Sequence, residues 1–188
     1  MNSASETQYT APFGLEWDLP LRTVSERFSG LKPAAEAEHA LTFSLIELAE
    51  RIWSQGGFCP GALMSTPERM GDEVTFQFAD DRLIAVFLRF GYGFGRIGQD
   101  PDTLSEQAMS ALARAEFHKL VFELAVKYGV PDLLSSESSR SGAIHVQGVA
   151  MYSLADTGLL QLIFGHDGGS SLVGEIRYHA RRPQAVGF

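Results

Sequence analysis

The chain has a single cysteine, Cys59, in 188 residues, which excludes an intrachain disulfide framework. It has no run approaching the ~20 apolar residues that span a bilayer. The polar stretch Met1–Thr10 offers no apolar segment of the kind a signal peptide needs. Together these absences predict a cytoplasmic protein with no membrane association. Positive charge is also scarce, with 15 Lys and Arg against 23 Asp and Glu and a net charge of -8. Without clustered cations to displace counterions, nucleic acid is excluded as a partner. An acidic surface serves solubility first, and a basic protein partner second. No H-E-x-x-H spacing and no Cys/His cluster occurs around the five histidines, so neither a metal nor a cofactor is expected.

What is present is a globular composition, 45% hydrophobic with 13 phenylalanines, which suits sheet faces and a packed interior. Residues 1–11 read as a loose tail, 12–180 as one α+β domain, and 181–188 as a second loose tail. Phe13 to Trp17 alternates like a short strand. Pro20 opens a short helix carrying Leu21, Val24 and Phe28 on one face, closed by Gly30 and Pro33. Residues 34–55 fit both periods. Leu41, Leu45, Leu48 and Ile52 repeat at helical spacing, against a strand alternation of Leu41, Phe43 and Leu45, and the Ala-, Glu- and Leu-rich composition tips the reading to helix. Phe58 to Asp72, punctuated by Pro60, Gly61, Pro67 and Gly71, reads as a loop.

A hairpin follows: Val74 to Phe78, a turn at Asp80-Asp81, and a return strand from Arg82 to Phe90. On the return strand Ile84, Val86, Leu88 and Phe90 share one face and Leu83, Ala85 and Phe87 the other, which predicts a central strand. A long helix starting at Asp102 or Thr103 carries the stripe Phe117, Leu120, Val121, Leu124 and Tyr128, and ends at Gly129 and Pro131. Ser135 to Gly142 reads as a mobile serine-rich loop. Three antiparallel strands complete the chain, near 143–154, 159–164 and 172–179. Val146, Leu160, Leu162, Phe164, Ile176 and Tyr178 are expected beneath the long helix. The fold class is thus an antiparallel sheet on one long and one or two shorter helices. Because each half pairs a Gly/Pro-ended helix with antiparallel strands, two related halves, 12–98 and 99–180, are also expected.

Candidate chemistry is sparse. Gly93-Phe94-Gly95-Arg96-Ile97-Gly98 matches G-x-G-x-x-G, but Pro101 forbids a helix opening inside it, so a dinucleotide site is not expected. The stretch reads instead as a flexible loop offering Tyr92 and Phe94 to a partner. A tight turn from Ala155 to Gly158 would set Gln147 opposite His166, with His145 diagonal to it and Asp167 adjoining. His145, His166 and Asp167 are the weak catalytic candidates on that ground. His118 falls beside the helix stripe and is expected to face solvent. Cys59 has no activating neighbourhood and reads as a small buried residue. Glu47/Glu50 and Asp80/Asp81 read as a helix face and a turn. Gln161, Glu175, Arg177 and His179 fall on a solvent-facing sheet surface suited to docking.

Leu19-Pro20-Leu21-Arg22-Thr23-Val24 through Gly30 and Pro33 resembles the start of the helix-plus-sheet module of BamE-type lipoproteins, found in tandem in β-lactamase-inhibitor proteins. Phe117 to Pro131 with its three strands resembles a second such module. The likeness covers about half the chain. It departs at Asp18 and Pro20, where a glycine and a Ser/Thr cap would stand, and no lipidation cysteine accompanies it. No functional residue transfers. The resemblance implies a non-catalytic role in binding another protein, as an inhibitor, an immunity protein or an adaptor. Two other readings stand beside it. One is a small enzyme or small-molecule binder with its pocket between sheet and long helix, and the other a homo-oligomer paired through exposed sheet edges.

Overall fold

The computed structural model describes residues 11–44, 47–48, 73–142, 144–154, 158–169 and 171–181, apart from the side chain of Arg96. The fold is α+β. The first helix, α1 (Leu21–Arg27), leads into β1 (Ala35–Ala37), β2 (Ala40–Ser44), β3 (Glu73–Ala79) and β4 (Arg82–Gly93). The long helix, α2 (Glu106–Tyr128), leads into β5 (Leu133–Ser135), β6 (Ser139–Ser141), β7 (Ile144–Leu154), β8 (Gly158–His166) and β9 (Ser171–His179). All nine strands form one antiparallel sheet in the order β1-β2-β3-β4-β9-β8-β7-β5, with β6 also on β7. Among the described residues no helix is long and apolar enough to cross a membrane.

Period-two alternation gives the sheet two unlike faces. One inner row runs Leu41–Phe76–Val86–Tyr178–Leu160–Tyr152, and the next runs Phe43–Val74–Leu88–Ile176–Leu162–Ala150. Each member is essentially enclosed. Helices α1 and α2 cover this face. Phe28 of α1 stacks on Phe76 at 5.5 Å, while Met109, Ala113, Phe117, Leu120, Val121 and Leu124 of α2 join the same core. The helix stripe expected from the sequence is therefore the inner face of α2, with His118 exposed on its outer side.

Helix ends are set by local chemistry. Ser105 caps α2, its Oγ accepting from the Ala108 N–H at 3.2 Å, so the helix starts after a 3-10 turn at Pro101–Thr103 and not at Asp102. At its other end Gly129 takes φ +81°. The α1 N-terminus is capped across the fold, where the Leu21 N–H donates to Asp81 Oδ1 at 3.1 Å. Asp80 and Asp81 take φ +50° and +56°, the two left-handed positions of a tight hairpin turn.

Several expectations are corrected. Phe13 to Trp17 is no strand: Pro12–Gly14 is a 3-10 turn with Phe13 and Gly14 at positive φ, which breaks any ladder. Ala11, assigned to the loose tail, is buried and bridges Leu15. Residues 35–37 and 40–44 are strands, because Leu41 and Phe43 both point into the core; among the described residues of 34–55, Glu47 and Leu48 are helical. Residues 45–46 and 49–55, the loop at 58–72 and Cys59 lie outside the described residues. On β4 the register shifts beside Phe78, which pairs with Leu83 while Gln77 pairs with Ala85. Ile84 is the extra residue of this bulge, so Leu83 and not Ile84 joins the inner row. The serine-rich stretch starts on the last residue of β5 and contains β6, both strands being held on β7.

A second bulge lies on β7. Val146 pairs with Gly165 but Gly148 pairs with Phe164, leaving Gln147 extra. Val146 is thereby turned to the opposite face, which no described helix covers and which is called the helix-free face below, instead of lying beneath α2. Gly148 takes the inner position, and a Cβ there would overlap the Phe117 ring.

Candidate functional site

Two places collect the polar side chains singled out in the sequence. The first is the end of the sheet beneath the start of α2. Leu154 pairs with Gly158, one residue off the register of a tight turn from Ala155 to Gly158, and the Gln147 bulge shifts it by one more. His145 consequently lies directly opposite His166, not diagonal to it, and their rings stack at 4.8 Å. His145 Nδ1 sits 3.2 Å from Glu106 Oε1. His166 is fully enclosed, with Nε2 at 3.1 Å from Ser110 Oγ and Nδ1 accepting the Gly168 N–H at 3.1 Å.

That last bond fixes the chemistry. A neutral imidazole carries one proton. With Nδ1 occupied as an acceptor, the proton is on Nε2 and is donated to Ser110. A serine nucleophile needs the reverse polarity, its hydroxyl donating to an imidazole base. Burial first, and the neighbouring His145 second, hold His166 below the ordinary imidazole range, which keeps it in this neutral form. Asp167 Oδ1 accepts the Gly169 and Ser171 N–H groups at 2.9 and 3.1 Å, so it closes the β8–β9 turn. Gln147, beside the cluster, is held by Ser138 and Arg114. Among the described residues no group of three or more His, Cys, Asp or Glu side chains is arranged to hold a metal ion.

The second place is the helix-free face. Its rows run Thr42–Thr75–Phe87–Arg177–Gln161–Met151 and Ser44–Glu73–Arg89–Glu175–Ile163–Val149. His179 stands in the adjoining row between Ala85 and Leu159. Gln161, Glu175, Arg177 and His179 therefore share one surface. Glu175 is the hinge of the charges: its carboxylate pairs with Arg177 through Oε1 and with Arg89 Nη2 at 3.3 Å through Oε2. Arg177 also lies 5.4 Å over the Phe87 ring, and His179 meets the same ring at 5.5 Å. Burial, then the Arg177 charge, lowers the His179 pKa. The result is a guanidinium pair held by one carboxylate, with a second carboxylate, Glu73, opposite Arg89 on β3, so the charges on this face balance.

Beside it is a recess of about 320 Å³ lined by Gly91, Ile144, Val146, Ile163 and Val173, with Arg89, Glu175, Arg177 and Ser141 around it. Gly91 pairs with Val173. By contrast, the space between sheet and α2 is occupied by the core residues of the long helix.

The expected aromatic loop is placed differently. β4 runs on to Gly93, and Phe94 is fully enclosed in the core. Tyr92 is half-buried, its hydroxyl donating to Glu116 at 3.0 Å. Phe87, Arg89, Ile163 and Val173 belong to the helix-free face and were not singled out in the sequence. An arginine between Leu88 and Phe90 in an otherwise apolar strand was the available signal. In comparisons with known proteins, no family model, no curated protein and no solved structure matches this chain.

Proposed function

We propose that this chain is a non-catalytic protein-interaction module that binds a partner polypeptide on its helix-free sheet face. The observation that carries the reading is the pairing of an apolar recess with a pre-positioned guanidinium pair on that face. An apolar side chain fits the recess, and an acidic residue next to it meets Arg89 and Arg177. The acidic contact is thus made to the two guanidiniums individually, since Glu73 and Glu175 balance their charge on this face. Inhibitor, immunity and adaptor roles all use such a surface, and the single cysteine suits a reducing cytoplasm. The neutral, donor-to-serine state of His166 weighs against an enzyme built on that cluster.

The two halves, 12–98 and 99–180, enter the same proposal as related modules. What supports this is the palindromic order: each half runs helix, then strands inward from the edge, and the last strands of each, β4 and β9, meet at the centre.

The test is selection of a random-peptide phage library on the folded chain. Enriched peptides combining acidic and large apolar residues are expected, with binding lost in the double variant Arg89→Glu, Arg177→Glu. Enrichment that survives this reversal would overturn the reading, as would the absence of any enrichment.

A further inference from the structure

Helix α2 is apolar on two opposite sides. Its inner stripe is the core already described. The outer side, about half a helical turn away, carries Ala111, Ala115, Phe122 and Val126 at i, i+4, i+11 and i+15, all exposed. Phe122 is 73% and Val126 80% exposed. No element of the described fold covers them.

We propose that the occupant of this stripe is a second copy of the same chain, with the two α2 helices packed antiparallel about a two-fold axis between His118 and Lys119. The argument is self-complementarity of size. The small residues stand at one end of the stripe and the large ones at the other, with equal spacing within each pair. Antiparallel apposition about that midpoint sets Phe122 of one copy over Ala115 of the other and Val126 over Ala111, and symmetry repeats both contacts. A parallel arrangement would instead oppose large to large and small to small. Lys119, which the register brings beside the axis, is already paired with Glu116 on its own helix, so no bare like charges meet. Two alanines, one phenylalanine and one valine from each copy make a contact smaller than the ~1,000 Å² of a standard specific interface. A weak, concentration-dependent dimer follows. It uses the side of the molecule opposite the helix-free sheet face and leaves that face open.

Sedimentation velocity on the full chain, from about 1 to about 500 µM, is the first measurement. The expected result is a monomer shifting to a dimer, and Phe122→Glu holding the monomer with an unchanged melting temperature. The geometry is read separately in a Cys59→Ser background carrying Ala115→Cys and Phe122→Cys. Seven residues apart on one helix, these positions are about 10 Å distant, beyond the ~4.4–6.8 Å Cα span of a disulfide, so they can bridge only between copies. A covalent dimer linked 115 to 122 is expected on oxidation. A monomer at every concentration overturns the proposal. So does a dimer indifferent to Phe122→Glu, or cross-linking confined to 122 with 122.

Discussion

The His166 imidazole, sealed from solvent at the sheet end and stacked on His145, makes the fold sensitive to acid. His166 has a folded pKa lowered from the usual 6.5, so below that value the unfolded chain binds the proton more readily than the native state. The stabilisation from neutral His166 is complete above pH 6.5 and is lost as pH falls toward the lowered folded value. His179 is lowered too and adds with the same sign. The melting temperature should be flat between about pH 7 and 8 and decline below about 6.5. His166→Gln should flatten that decline, whereas replacing exposed His118 should not; an unchanged slope in His166→Gln would contradict the assignment. Gly148 offers a second residue-scale test. Its missing Cβ gives the Phe117 ring its place, so Gly148→Ala should cost about 1–3 kcal/mol in urea unfolding. Phe117→Leu in the same background should recover part of it. The reason for a glycine at 148 was hidden in the sequence, because it depends on a ring far away in the chain.

At the scale of elements, Asp81 serves two structures at once, the β3–β4 turn and the start of α1. Asp81→Ala should lower stability by about 1–2 kcal/mol. Asp81→Asn should cost much less, since asparagine tolerates positive φ and keeps an oxygen for the Leu21 N–H. Thermal unfolding of the pair decides it. The long helix, the β3–β4 hairpin and the last three strands were all legible in the sequence, since each has strong periodicity and explicit stop residues. What was not legible were offsets of one residue. The bulges at Ile84 and Gln147 exchange Leu83 for Ile84 and turn Val146 outward, and no local pattern announces them. Register then decided the candidate sites as well. The same offset places His145 against His166, and the strand continuing to Gly93 takes Phe94 out of reach of any partner. Residues 35–44 failed for another reason: alanine and glutamate favour helix locally, while Leu41 and Phe43 are drawn into the sheet by burial.

Among the described residues the molecule is a sheet covered by helices on one side, and the other side is where the proposed function resides. Of the residues singled out from sequence for docking, Gln161, Glu175, Arg177 and His179 share that surface, because simple alternation along β8 and β9 is enough to place them there. The recess beside them needed the assembled sheet, since Gly91, Ile144 and Val173 come from three separate strands. Plugging it with Val173→Trp should abolish peptide binding while leaving the inner core, and so the unfolding midpoint, nearly unchanged. Calorimetric titration of a selected peptide into wild-type and variant protein checks this. The most direct measurement is an amide chemical-shift map of the full chain titrated with that peptide. The expected result is a contiguous set of perturbed amides on the helix-free face, centred on Arg89, Gly91, Val173 and Arg177. Perturbations centred instead on His145, His166 and the start of α2 would contradict the proposal and point back to the enclosed histidine cluster.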